Sequence, residues 1–263
     1  MYTDRHKRPL AFGKLPQNQP AMPTKLLFFL GLLPSLFLND PSRPASNDGF
    51  ALVELFTSEG CSSCPAADEI VASLPKSYST GVFVLSFHVD YWDRLGWKDP
   101  FSKADYTLRQ KQYTETLNLR SLYTPQVVIN GKTEMVGSDE ARLRQAIDQE
   151  LAHTTNAPIE ANAHSSDGKS ITVDYTLTSK SQGALQAALL QLEASTAVKN
   201  GENGGRQLHH TNIVRDLKTS NKSKGALTLT FPAGLTAANC KVLVFLQDKD
   251  DLHVSGARLL EIH

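Results

Sequence analysis

Cysteine is scarce in this sequence: three in 263 residues, too few for a disulfide-stapled scaffold. An excess of one charge is absent too. Lys and Arg number 27 against 27 Asp and Glu, and no long basic run follows the N-terminus. Nucleic acid is therefore not the expected partner, because phosphate binding needs a clustered positive field. A long unbroken hydrophobic run is also missing. The most apolar stretch, Leu26–Leu38, is interrupted by Gly31, Pro34 and Ser35. It falls short of the ~20 apolar residues that a membrane-spanning helix requires. A hydrophobic content of 40% still provides the core of one large domain or two modest ones.

An apolar stretch of about 7–15 residues behind a positive charge has the form of a secretory signal. Lys25 supplies the charge, and translation from Met22 would make "MPTKLLFFLGLLPSLFL" a compact signal peptide. Residues before Met22 then read as a misassigned start or a dispensable extension. Export to a periplasmic or extracellular compartment is the expectation. "NDPSRPAS" offers no small-x-small cleavage site, so an uncleaved segment would act as a membrane anchor and as the sole membrane contact.

Three blocks follow from the texture of the chain. Residues 1–46 are the extension, the signal-like segment and a linker rich in Pro, Ser and Asn. Residues 47–155 read as an α/β domain. "FALVELFT" and "GVFVLSFHVD" suit buried strands, and "PAADEIVASLP" suits a helix opened by Pro65 and closed by Pro75. A long insertion comes next, aromatic at first and then helical. "TPQVVING" is a third strand whose Asn-Gly turn folds back into "KTEMVG". Ser138 is placed to cap the helix "DEARLRQAIDQELAH". Residues 156–263 read as an all-β, sandwich-like domain of short alternating strands, with "LQAALLQLEA" favouring strand over helix.

Cys61 and Cys64 lie between a strand and a helix. A helix N-terminus offers unpaired N–H groups and partial positive charge, which stabilise a thiolate at the first cysteine. A thiol near 8.5 in water falls to roughly 3.5–7.5 in such places. Glu59, Asp68 and Glu69 oppose that effect and no cation flanks the pair, so a lowered but not extreme value is expected for Cys61. The second cysteine then resolves a mixed disulfide. Zinc needs two further ligands at comparable reach; a second Cys-x-x-Cys is lacking and Cys240 is remote, so neither metal nor cofactor is the leading expectation. His209 and His210 alternate on a strand, face opposite sides and make a poor chelate.

Several segments together, "VELFTSEGCSSCPAAD", "HVDYWDRLGWKDPF", Arg109, Gln110 and Tyr113, "YTPQVVING" and "GENGGR", resemble a secreted family known as domain of unknown function 1223. That family is similar to thioredoxins in its first domain. The resemblance implies an α/β thioredoxin-like domain followed by an all-β sandwich-like domain. It implies catalytic roles for Cys61 as nucleophile and Cys64 as resolving thiol, for Pro125 as a substrate-positioning cis-proline, and for Glu54 as a buried proton acceptor. Thr124 would present its backbone to a bound peptide, with His88, Asp90 and Trp92 as neighbours on the substrate side. His88 either assists proton transfer, binds a metal with the thiolates, or is a hydrogen-bonded histidine that packs the insertion. Tyr91, Trp92, Trp97 and Phe101 either line a groove or form the insertion's own core. Gly60, Ser62 and Ser63 depart from the thioredoxin loop and leave the direction of electron flow open.

The expected function is exchange with protein thiols or disulfides, without a cofactor. Two alternatives stand beside it. One is a copper-binding module of Cys61, Cys64 and His88; the other is a non-catalytic cell-envelope interaction protein with a static disulfide.

Overall fold

Seven consecutive buried residues make the first strand, β1 (Ala51–Thr57), apolar apart from Glu54 and Thr57, and both of its faces are covered. Val53 and Leu55 pack on Ala67, Val71 and Leu74 of helix α1 (Cys64–Ser77), while Leu52 and Phe56 join a second cluster on the other side. The computed structural model describes residues 49–153, 159–178 and 183–263. The signal-like segment falls outside these residues. None of the described helices is long and apolar enough to cross a membrane.

The chain continues through β2 (Val82–His88), α2 (Ala104–Thr116), β3 (Gln126–Ile129), β4 (Thr133–Val136) and α3 (Glu140–Leu151). Next come β5 (Ile159–His164), β6 (Ser170–Leu177), β7 (Ala184–Ala197), β8 (Gln207–Ser220), β9 (Lys224–Thr230), β10 (Cys240–Gln247) and β11 (Val254–Leu260). Strand rather than helix is thus the state of "LQAALLQLEA", with the Ala184–Leu190 half buried on both faces. β3 and β4 form the expected hairpin, and Asn130 and Gly131 both take the positive φ that its turn requires. Pro65 opens α1 as expected, but Pro75 lies inside the last turn rather than closing the helix. The cap of α3 is Asp139, which accepts from the Arg142 N–H at 3.2 Å, not Ser138.

The architecture itself needs correction. A thioredoxin-like α/β domain followed by a separate β-sandwich is not what forms. The described chain is mostly β, with three helices, and one mixed sheet of eight strands runs in the order β11-β10-β7-β8-β2-β1-β3-β4. Four of its strands come from each of the two blocks expected to be independent. The physical reason lies in the β7–β8 hairpin, whose strands are 14 residues each. That length carries β8 to the free edge of β2, where Ser86 pairs with Ile213 in parallel and the Ser86 hydroxyl donates to the Thr211 carbonyl at 2.9 Å. The Tyr106 hydroxyl of α2 donates to the Val214 carbonyl beside it. Sheet-on-sheet packing exists only in part. A three-stranded sheet, β5-β6-β9, lays Ile171, Val173 and Leu229 on Leu185, Ala187, Val242 and Val244 of the large sheet.

Candidate functional site

β1 ends at Thr57, whose carbonyl accepts from the Val89 N–H just beyond β2. The two parallel strands therefore deliver Ser58–Ser63 and Val89–Trp92 to the same end of the sheet. The cysteine loop is a pair of tight turns. The Cys61 N–H donates to the Ser58 carbonyl and the Cys64 N–H to the Cys61 carbonyl. Gly60 suits this close approach, because a Cβ would sit a tight 3.0 Å from the Trp92 Cβ. Cys61 and Cys64 are joined as a disulfide, with Cα atoms 5.4 Å apart. Cys61 is 1% exposed and Cys64 0%, while Ser62 and Ser63 between them face solvent. The Ser63 hydroxyl, 3.5 Å from the Cys61 sulfur, must be the donor of that contact, since a disulfide sulfur has no proton.

Behind the loop lies a closed network of acids and histidines, all buried. Glu59 receives the Trp97 indole N–H on Oε2 at 2.7 Å, and its Oε1 lies 3.2 Å from His210 Nε2. The Glu59 N–H donates to Asp99 Oδ2, which also holds His88 Nδ1 at 2.7 Å. His210 Nδ1 is 3.6 Å from Asp68 Oδ2, an ion-pair distance that is too long for a hydrogen bond. The two imidazoles meet edge to face, centroids 4.8 Å apart, with Phe101 against both. Burial alone would lower the His210 pKa, but Asp68 and Glu59 outweigh it and push it up to about 9. Burial alone would raise the Asp99 carboxyl, yet His88 and the N–H groups of Glu59 and Phe101 hold it below its ordinary value.

The tip of the β7–β8 hairpin closes the site. Asn203, fully buried, donates from Nδ2 to the carbonyls of both Glu59 and Cys61, each at 2.9 Å. Glu202 Oε2 accepts from the Ser62 N–H at 3.0 Å. Both residues belong to "GENGGR", and nothing in that segment's own sequence signals a contact with the cysteine loop. His210 was dismissed along with His209. Alternation did put them on opposite faces: His209 bonds Ser195 on the surface, while His210 enters the acid cluster. A signal was present in the unbalanced acids Glu59 and Asp68, which called for a cation from elsewhere in the chain.

The other expected residues divide. The Thr124–Pro125 bond is cis, and the Thr124 hydroxyl accepts from the Trp92 indole N–H at 2.8 Å, which links that loop to Trp92 beside Gly60. His88 is buried, and its Nε2 has no hydrogen-bond partner among the described residues. Asp90 faces α2 instead, where it accepts from the Thr107 hydroxyl at 2.6 Å. Glu54 lies on the face of β1 opposite α1, with both oxygens engaged by Arg109 and Oε1 also by the Tyr113 hydroxyl. Trp97 and Phe101 belong to the buried network rather than to an open groove. The copper set is not assembled. The two thiols are bonded to each other, and among the described residues three His, Cys, Asp or Glu side chains nowhere converge as metal ligands.

Fold and site together define a mixed-sheet protein with an oxidised Cys-x-x-Cys at a strand-to-helix turn. A family model described as "Protein of unknown function (DUF1223)" matches residues 52–247, and the chain belongs to that family. Among solved structures, the X-ray crystal structure of a protein from Agrobacterium tumefaciens is similar, with a TM-score of 0.60 and 28% identity. The match covers 80% of this chain and 93% of that one. Among curated proteins, none matches the chain.

Proposed function

We propose that the protein is an exported thiol–disulfide exchange protein, acting on protein thiols or disulfides through Cys61 and Cys64. The observation that carries this reading is the disulfide between two cysteines three residues apart, placed where a strand feeds the first turn of α1. The α1 N-terminus supplies unpaired N–H groups that favour a thiolate once the bond opens. Exchange balances without any further reagent. A partner thiolate bonds to the Cys61 sulfur as the Cys61–Cys64 bond breaks, and Cys64 leaves as a thiolate that takes up a proton. A second partner thiol then displaces Cys61, so that the partner leaves oxidised and the pair is reduced by two electrons. The reverse sequence oxidises the pair. Pro125 and Thr124 would position the partner, with Trp92 beside them. Of the two expected proton carriers, His88 retains an open nitrogen, whereas Glu54 is committed to Arg109; His88 is therefore the one we keep.

The burial of both sulfurs favours a second reading, a static disulfide in a cell-envelope interaction protein. The reduction potential separates the two. Exchange pairs span about −270 to −120 mV, whereas structural disulfides lie below about −300 mV. Equilibration in glutathione buffers with thiol trapping should place the pair inside the exchange range, and Cys61→Ser should abolish turnover in an insulin reduction or oxidation assay. A potential below about −300 mV would refute the exchange reading in favour of the static one.

A further inference from the structure

Hairpin tips are normally wet, yet Asn203 has no exposed surface. Its amide is fully used. Nδ2 donates to the Glu59 and Cys61 carbonyls, and Oδ1 accepts from Arg206 Nη1 at 2.8 Å. With Glu202 on the Ser62 N–H, one dipeptide occupies three backbone groups around Cys61.

We propose that Glu202 and Asn203 are positioning residues that hold the Cys61–Cys64 pair in its oxidised form and set how readily a thiolate reduces it. The proposal rests on reading the pair as an exchange site, and two independent arguments support it. The first is geometric. The sulfurs of a dithiol no longer share a bond and must separate to van der Waals contact, so reduction shifts the loop and its carbonyls. Asn203 is buried and braced by Arg206, so it does not follow, and its two hydrogen bonds are best formed to the disulfide state. The second is electrostatic. The Glu202 carboxylate stands beside Cys61 and occupies an amide that a Cys61 thiolate would otherwise use, and both effects disfavour the thiolate.

The test uses the full chain and its Asn203→Ala, Asn203→Asp and Glu202→Gln variants. Each is equilibrated with reduced and oxidised glutathione, two reduced molecules giving one dithiol pair and one oxidised molecule. The rate of reduction by dithiothreitol is timed in parallel. The Asn203 variants should shift the equilibrium toward the dithiol by about tenfold, which for a two-electron couple is about 30 mV. Glu202→Gln should move it the same way by less, and all three should be reduced faster. Glu202 is exposed, so its variant folds even if the Asn203 variants do not. A Glu202→Gln chain, or any folded Asn203 variant, with wild-type equilibrium and rate overturns the proposal, as does a shift toward the disulfide. Failure of the exchange reading looks different: no protein substrate turns over in the wild type, while the variants still move the glutathione equilibrium.

Discussion

Glu54 and Arg109 form a buried two-pronged ion pair between β1 and α2, with Nε to Oε2 at 2.6 Å and Nη2 to Oε1 at 2.9 Å. Arg109 also donates from Nη1 to Gln247 Oε1 of β10, so the pair ties the first and last parts of the large sheet together. Removing one partner leaves the other charge buried and uncompensated. Arg109→Met should therefore cost about 3–5 kcal/mol of stability. The double variant Glu54→Leu/Arg109→Met should lose much less. Urea unfolding of both chains decides this, and equal losses would refute the ion-pair account.

The charge on His210 predicts a pH dependence. An unfolded histidine titrates near 6.5, whereas folded His210 keeps its proton up to about 9. A raised value in the folded state means that the stabilisation is complete below the unfolded value and is lost as pH rises through the folded one. The groups facing His210 are Glu59, Asp68 and the His88 ring, itself held by Asp99. The stability gap between wild type and His210→Gln should narrow by on the order of 3 kcal/mol between about pH 6 and pH 10. A constant gap across that range would show that folding does not raise the His210 pKa.

Gly131 holds the β3–β4 turn against the segment before β11. Its φ is 72°, and a Cβ there would lie 2.0 Å from the Leu252 carbonyl oxygen. Gly131→Ala must push backbone against backbone and should destabilise the fold by more than about 1–3 kcal/mol. Gly168 has a similar φ of 62° with nothing near its absent Cβ, so Gly168→Ala should cost only about 1 kcal/mol. Thermal melts of the two variants should separate clearly; coincident curves would remove the steric argument.

Cys240 is the free cysteine among the described residues, and it is buried. Burial pushes its thiol up to about 11, which leaves very little thiolate at neutral pH. After mild reduction, iodoacetamide at about pH 8 should label the Cys61–Cys64 pair and leave Cys240 unlabelled until the chain is unfolded. Mass spectrometry of the labelled peptides checks this directly.

Local patterns carried much of the fold. The apolar runs of β1 and β2, the Pro65 start of α1 and the Asn130–Gly131 turn are legible because neighbours a few residues apart decide them. The joining of the two blocks is not, since β8 meets β2 through a single paired position, Ser86 with Ile213, and no short-range pattern encodes one contact. The cysteine pair was visible for the same local reason that β1 was. Its surroundings were not: Asn203, Glu202 and His210 reach it from another strand pair, and His210 looks on its own like half of a surface dipeptide. The partner of Glu54 was equally hidden: Arg109 lies on a helix 55 residues later, and no local pattern pairs the two.

The 140 residues that separate Ser62 from Glu202 also have a meaning in time. A ribosome adds about 5–20 residues per second, so Cys61 and Cys64 exist for on the order of ten seconds before the segment that encloses them has been made. During that interval the two thiols are without Asn203 over their backbone or His210 beneath them. The newborn chain therefore passes through a stage in which the Cys61 and Cys64 thiols stand open to any partner, before the hairpin that later encloses them exists.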